Sequence, residues 1–241
     1  MAKQQDQTRG RSNKVMIFSC ALGIVAAMVI GVMINNATAQ SRFEKEIVAV
    51  NEAFSAGDNQ KISEVLDRTV SSGDYAKVEK SIKKYVGDIM KNINDIEEIA
   101  ESEAVYSSLE GKYLEKNRDK LEATISELDK ASKKIEALTS DYKKLYNEES
   151  VKGYIDGQDL SDSYSALFSE NAKLFYDDKD LHNDYDSMLK VVADTIRVEA
   201  KAIDYLNKNK SAWKIVDGSI SFTSSDVAAK YNDILQSVAN S

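Results

Sequence analysis

Not one of the 241 residues is proline. Proline ends helices, because it removes a backbone donor and its ring clashes with the preceding turn, so a chain without it favours long uninterrupted helices. The apolar positions agree. Phe43, Ile47, Val50 and Phe54 recur at steps of four, three and four, which predicts a helix from Ser41 to Phe54. Ala56-Gly57-Asp58-Asn59 breaks it, and a short helix follows with Ile62, Val65, Leu66 and Val70 turned inward. Ser71-Ser72-Gly73-Asp74 stops that helix and offers Asp74 as the next cap.

From Tyr75 the pattern lengthens. Ile82, Val86, Ile89, Ile93, Ile96 and Ala100 alternate steps of four and three, the 3.5-residue period of a seam that a partner helix must cover. Leu114, Leu121, Ile125, Leu128, Ile135, Leu138, Tyr142 and Leu145 repeat the signal, with Val105 to Gly111 as the turn between. Residues 41–149 thus read as a helical region in which 74–149 forms a long antiparallel hairpin, its outer faces covered by Glu, Lys and Asp. Residues 150–162 hold two glycines and no stripe, and read as a linker.

The C-terminal region, 163–241, carries one stripe in Tyr164, Leu167, Phe168, Leu174 and Phe175. Another runs through Tyr185, Met188, Leu189, Val192, Ile196, Ile203 and Leu206, and the two belong to one helix or to two. Residues 212–223, "AWKIVDGSISFT", differ. Asp-Gly between alternating apolar residues signals a two-residue turn, which sets Ile215 opposite Ile220 and Trp213 opposite Phe222. Ser224 or Ser225 then caps a last helix bearing Val227, Tyr231, Ile234, Leu235 and Val238. The fold class is all-α with one small β-hairpin, preceded by an N-terminal membrane helix.

That membrane helix is Val15 to Ile34, twenty residues with only Ser19 and Cys20 even mildly polar. At about 1.5 Å per residue it reaches roughly 30 Å, one hydrocarbon core. Residues 1–14 carry Lys3, Arg9, Arg11 and Lys14 against Asp6, so they stay cytoplasmic and the rest is exported. Length favours a retained anchor. Ala37-Thr38-Ala39 is nevertheless the small-x-small pattern of a signal cut after Ala39, which would release the chain instead. Ser19, Gly23, Ala27 and Gly31 line one ridge, which offers a seam for a homodimer in the membrane. Cys20 is the only cysteine, so the exported part holds no disulfide.

The chain has a net charge of −8 while its first fourteen residues are net basic. An acidic exported part repels phosphate backbones and excludes nucleic acid as a partner. The sharpest chemical constellation is Asp178, His182 and Asp186, four residues apart and on one face of a helix, as zinc ligands would be. Dense carboxylates more often mark a solvated face, and such sites normally draw ligands from several elements. Without an exported cysteine, and with His182 as the only histidine, common nucleophilic catalysis has no parts to use. Glycine-rich phosphate cradles of either standard spacing are missing as well. Neither an enzyme nor a cofactor is expected. Tyr85, Tyr142 and Tyr185 fall on inward stripes and read as core.

The leader, the heptads and the "WKIVDGSISF" element before a terminal "YNDIL" helix resemble the single-anchor extracytoplasmic helical proteins of Gram-positive bacteria. No function comes with that resemblance. The expectation is a membrane-tethered interaction or structural protein of the cell envelope with an envelope protein as partner. Its rival is an extracytoplasmic ligand-sensing bundle. Sensors of that kind need a second crossing, and no other apolar run approaches eighteen residues, so this reading requires a partner subunit.

Overall fold

A computed structural model describes residues 38–237. They are mostly helical, with a single two-stranded antiparallel sheet among them. Ten α-helices occur in this stretch: α1 Thr38–Ser55, α2 Asn59–Asp67, α3 Asp74–Glu101, α4 Glu103–Ser107, α5 Gly111–Lys116, α6 Leu121–Leu145, α7 Glu148–Lys152, α8 Asp162–Tyr176, α9 Lys179–Lys208 and α10 Ser225–Gln236. The strands β1, Trp213–Val216, and β2, Ser219–Phe222, lie between α9 and α10. The chain divides into two compact units, and α3, α6 and α9 each contribute to both.

The first unit takes described residues 38–94 and 140–185. Its core follows the stripes read from sequence: Phe43, Ile47, Val50 and Phe54 of α1 and Ile82, Val86, Ile89 and Ile93 of α3 are buried. Tyr75 bridges α1 and α8, with its ring 5.6 Å from Phe43 and 5.0 Å from Tyr164. The Tyr85 hydroxyl donates to the Leu145 carbonyl, so the early part of α3 meets the end of α6. Val70, expected inward, is exposed, because the chain leaves α2 at Arg68 in an extended conformation.

The stretch 150–162 is not a free linker. Val151 is buried, Ser81 donates to the Tyr154 carbonyl, and the Gln158 amide donates to both Ser81 Oγ and that same carbonyl. Backbone groups that lack a regular ladder are thereby satisfied by α3. The region 163–207 is two helices. Asp177 and Asp178 separate α8 from α9, and the Asp178 carboxylate accepts from the Leu181 amide as a cap.

The second unit takes residues 95–139 and described residues 186–237. Where the sequence suggested one turn after α3, the path is α4, α5 and a 3₁₀ turn at Arg118–Lys120, because Ser102 and Glu110 adopt extended ψ values and interrupt the helix. Leu114, Leu121, Leu128 and Ile135 are buried, as are Ile196, Ile203 and Leu206 of α9. The hairpin has the predicted register, Trp213 opposite Phe222 and Ile215 opposite Ile220. Its turn places Asp217 at φ 50° and Gly218 at φ 74°, the left-handed pair that a tight hairpin demands. Trp213 is buried, its indole N–H donating to the Leu206 carbonyl, and Phe222 packs 5.1 Å from Tyr231 of α10. Ser224 provides the cap of α10, accepting from the Val227 amide.

Candidate functional site

The strongest concentration of charge in the interior lies in the first unit. Glu46 of α1 receives a bidentate pair of hydrogen bonds from Arg68, Nε to Oε1 at 2.7 Å and Nη2 to Oε2 at 2.8 Å. Lys83 of α3 uses all three of its protons: on Glu46 Oε1 at 2.6 Å, Glu79 Oε1 at 2.8 Å and the Arg68 carbonyl at 2.9 Å. Glu79 also accepts from the backbone amides of Val70 and Ser71, at 3.1 and 2.9 Å. Glu79 is 0% exposed and Lys83 4%. The sequence placed these charges on a solvated outer face. Instead, α1 and the extended segment after α2 cover that face of α3, and an i, i+4 pair of Glu and Lys is enclosed.

Burial alone would raise both carboxyls. For Glu46 it is outweighed by the hydrogen bonds and positive charges of Arg68 and Lys83, and for Glu79 by Lys83 and the Ser71 and Val70 donors, so both sit below the ordinary carboxylate range. Arg68 is raised in turn, chiefly by its bond to Glu46.

A cleft of about 450 Å³ opens beside this network, with Leu66 to Thr69 on one side and Lys80, Lys83, Lys84, Gly87 and Asp88 of α3 on the other. Lys84 holds its ammonium 5.4 Å from the centroid of the Tyr154 ring. The Tyr154 hydroxyl donates to Asp88 at 2.8 Å, and burial together with that carboxylate pushes it well above the usual phenol range. Gly87 stands inside α3, and a Cβ built there would meet nothing within 4 Å.

The three proposed metal ligands go to different duties. Asp178 caps α9. His182 is 3% exposed and both ring nitrogens are engaged, Nδ1 with the Tyr142 hydroxyl at 3.0 Å and Nε2 with the Phe175 carbonyl at 2.8 Å. A carbonyl only accepts, so Nε2 carries a proton; in the neutral ring Nδ1 then accepts from Tyr142. Tyr146 stacks on the imidazole at 4.0 Å and 12°, with Phe175 and Tyr142 edge-on. Asp186 lies one turn further along α9, in the part of the helix that belongs to the second unit. Among the described residues no group of three His, Cys, Asp or Glu is placed to hold a metal. Asp178 precedes the first turn of α9 as its cap, so only His182 and Asp186 lie within the helix, and the ring cluster that claims His182 has no counterpart in the spacing.

Tyr85, Tyr142 and Tyr185 are buried, as their stripes indicated. In the second unit, Ser108 donates to the buried Glu199 at 2.9 Å, and Arg118 lies 4.2 Å from the Trp213 ring while donating to the Lys210 and Trp213 carbonyls. These contacts hold α4 and the hairpin in place. The membrane span Val15 to Ile34, with its ridge Ser19, Gly23, Ala27 and Gly31, falls outside the described residues, and Ala39 stands in the first turn of α1. No helix among the described residues is long and apolar enough to cross a membrane. Comparison with known proteins finds no matching family model, no matching curated protein and no matching solved structure.

Proposed function

We propose that the protein is a non-catalytic helical interaction or structural protein of the bacterial cell envelope, tethered by Val15 to Ile34 with residues 1–14 in the cytoplasm. The observation that carries this reading is the closed ion network of Glu46, Glu79, Lys83 and Arg68. Charges that would face a substrate in a catalytic site are here directed at one another and at backbone amides, where they fasten α1 and residues 68–71 to α3. His182 is likewise committed to Tyr142 and Phe175. The long apolar seams on α3 and α6 support the reading of residues 74–149 as a helical hairpin.

The location is tested with a C-terminal reporter active only outside the cytoplasm, which is expected to be active. A signal from a reporter that works only in the cytoplasm overturns the proposal. Photo-crosslinking in intact cells is expected to capture one defined envelope protein. The ligand-sensing alternative draws on the cleft beside Gly87; an upward shift of the melting transition with one small acid or amino acid would favour it.

A further inference from the structure

We infer that the end of the first unit at which α1, α3 and α8 begin rests on the lipid headgroups of the membrane, with Tyr75 and Tyr164 at the contact. The inference names the face of the chain that meets the bilayer and rests on the tether proposed above.

The length of chain outside the described residues selects the bilayer as the occupant. Ile34 ends the apolar run and Thr38 opens α1 four residues later, so their Cα atoms stand at most about 14 Å apart whatever path the chain takes between them. The headgroup layer beyond the edge of the hydrocarbon core is itself roughly 5–8 Å deep. With Ile34 at that edge, the space between the start of α1 and the lipid is too narrow for another folded domain.

The fold brings two further helix starts to the same end. Phe43 lies five residues past Thr38, about 7.5 Å along α1. Tyr75, in the first turn of α3, has its ring 5.6 Å from Phe43, and Tyr164, in the first turn of α8, meets Tyr75 edge-on at 5.0 Å. Further along the same two helices Tyr85 lies 5.9 Å from Phe175, so α3 and α8 run side by side away from this end. Tyr75 and Tyr164 are half-buried, and neither hydroxyl has a hydrogen-bond partner among the described residues. Those of Tyr85 and Tyr154, by contrast, end on the Leu145 carbonyl and the Asp88 carboxylate. A ring held by the fold and a hydroxyl left for water or an ester oxygen is the amphipathic pattern that places tyrosine at membrane interfaces. Basic and acidic side chains share this end, Arg42 and Lys45 with Asp159 and Asp162, all exposed, so the contact asks for no particular headgroup charge.

The test uses the full chain in phosphatidylcholine vesicles that contain a lipid with a nitroxide on its headgroup. In a Cys20→Ser background, a fluorophore is attached through Ser163→Cys, exposed in the first turn of α8, or through Ser55→Cys, exposed at the far end of α1 and about 25 Å along it. Loss of fluorescence is expected at 163 and none at 55. A Gly/Ser insertion of about twelve residues between Asn36 and Ala37 adds about 20 Å of slack and separates docking from tethering: the loss at 163 is expected to persist. Equal quenching at the two positions, none at 163, or its disappearance with the longer tether overturns the inference. Cys20, the only cysteine of the unaltered chain, is labelled before reconstitution to tell this failure from failure of the tether. Quenching there by a nitroxide on the lipid acyl chain, with none at 163, leaves the tether standing and removes this face from the bilayer, whereas no quenching at Cys20 overturns both.

Discussion

Replacing Lys83 by methionine keeps the aliphatic stem and most of the volume but removes the ammonium that Glu46, Glu79 and the Arg68 carbonyl share. Breaking a buried ion pair by deleting one partner costs about 3–5 kcal/mol, because a charge is left enclosed without its counterpart. Here the loss is cushioned. Glu46 keeps both bonds from Arg68, and Glu79 keeps the Val70 and Ser71 amides, so the lower end, about 3 kcal/mol, is expected. For a chain of this length that lowers the melting temperature by about 6–12 °C. The penalty also depends on pH. Both carboxyls titrate below their ordinary value of 4.5 in the fold, so the stability they contribute is complete above 4.5 and is lost as pH falls through their folded values. The difference between wild type and Lys83→Met should therefore shrink on acidification, and adding Glu46→Gln and Glu79→Gln at neutral pH should restore part of it. Urea unfolding followed by circular dichroism at pH 7 and pH 4 measures both quantities. A penalty under about 1 kcal/mol at pH 7, or one identical at the two pH values, refutes the reasoning.

Three further perturbations reach other parts of the fold. Gly111→Ala would place a Cβ 2.2 Å from the Gly218 carbonyl oxygen and 2.7 Å from its carbon, so α5 or the hairpin turn must move; a loss of about 1–3 kcal/mol is expected despite the better helix propensity, with shifted hairpin amide resonances as the readout. His182→Phe leaves the Phe175 carbonyl and the Tyr142 hydroxyl without the imidazole and should cost about 2–4 kcal/mol in thermal unfolding. Ser224→Ala removes the cap of α10 and should cost about 1 kcal/mol, seen first as faster amide exchange in that helix.

What the sequence made legible is what repeats. The stripe Ile82, Val86, Ile89, Ile93, Ile96 and Ala100 is buried along its whole length, and the Asp217-Gly218 turn fixed a strand register because only a left-handed pair closes so short a loop. Glu79 and Lys83 escaped because a pair of opposite charges one turn apart looks the same whether water or a second helix lies over it. Residues 150–162 escaped for a related reason: their anchors are Ser81 and Asp88, far away in sequence and lacking any periodic signal. The spacing of Asp178, His182 and Asp186 carried no information on the Tyr142, Tyr146 and Phe175 rings that enclose the imidazole.

That enclosed imidazole gives the chain a natural spectroscopic reporter. With one histidine in 241 residues, its ring resonances need no assignment, and stacking on Tyr146 should displace them strongly by ring current. In the neutral ring a nitrogen-15 spectrum would show the proton on Nε2 and a bare Nδ1, and the loss of that signature under heat or urea would report the opening of this one cluster.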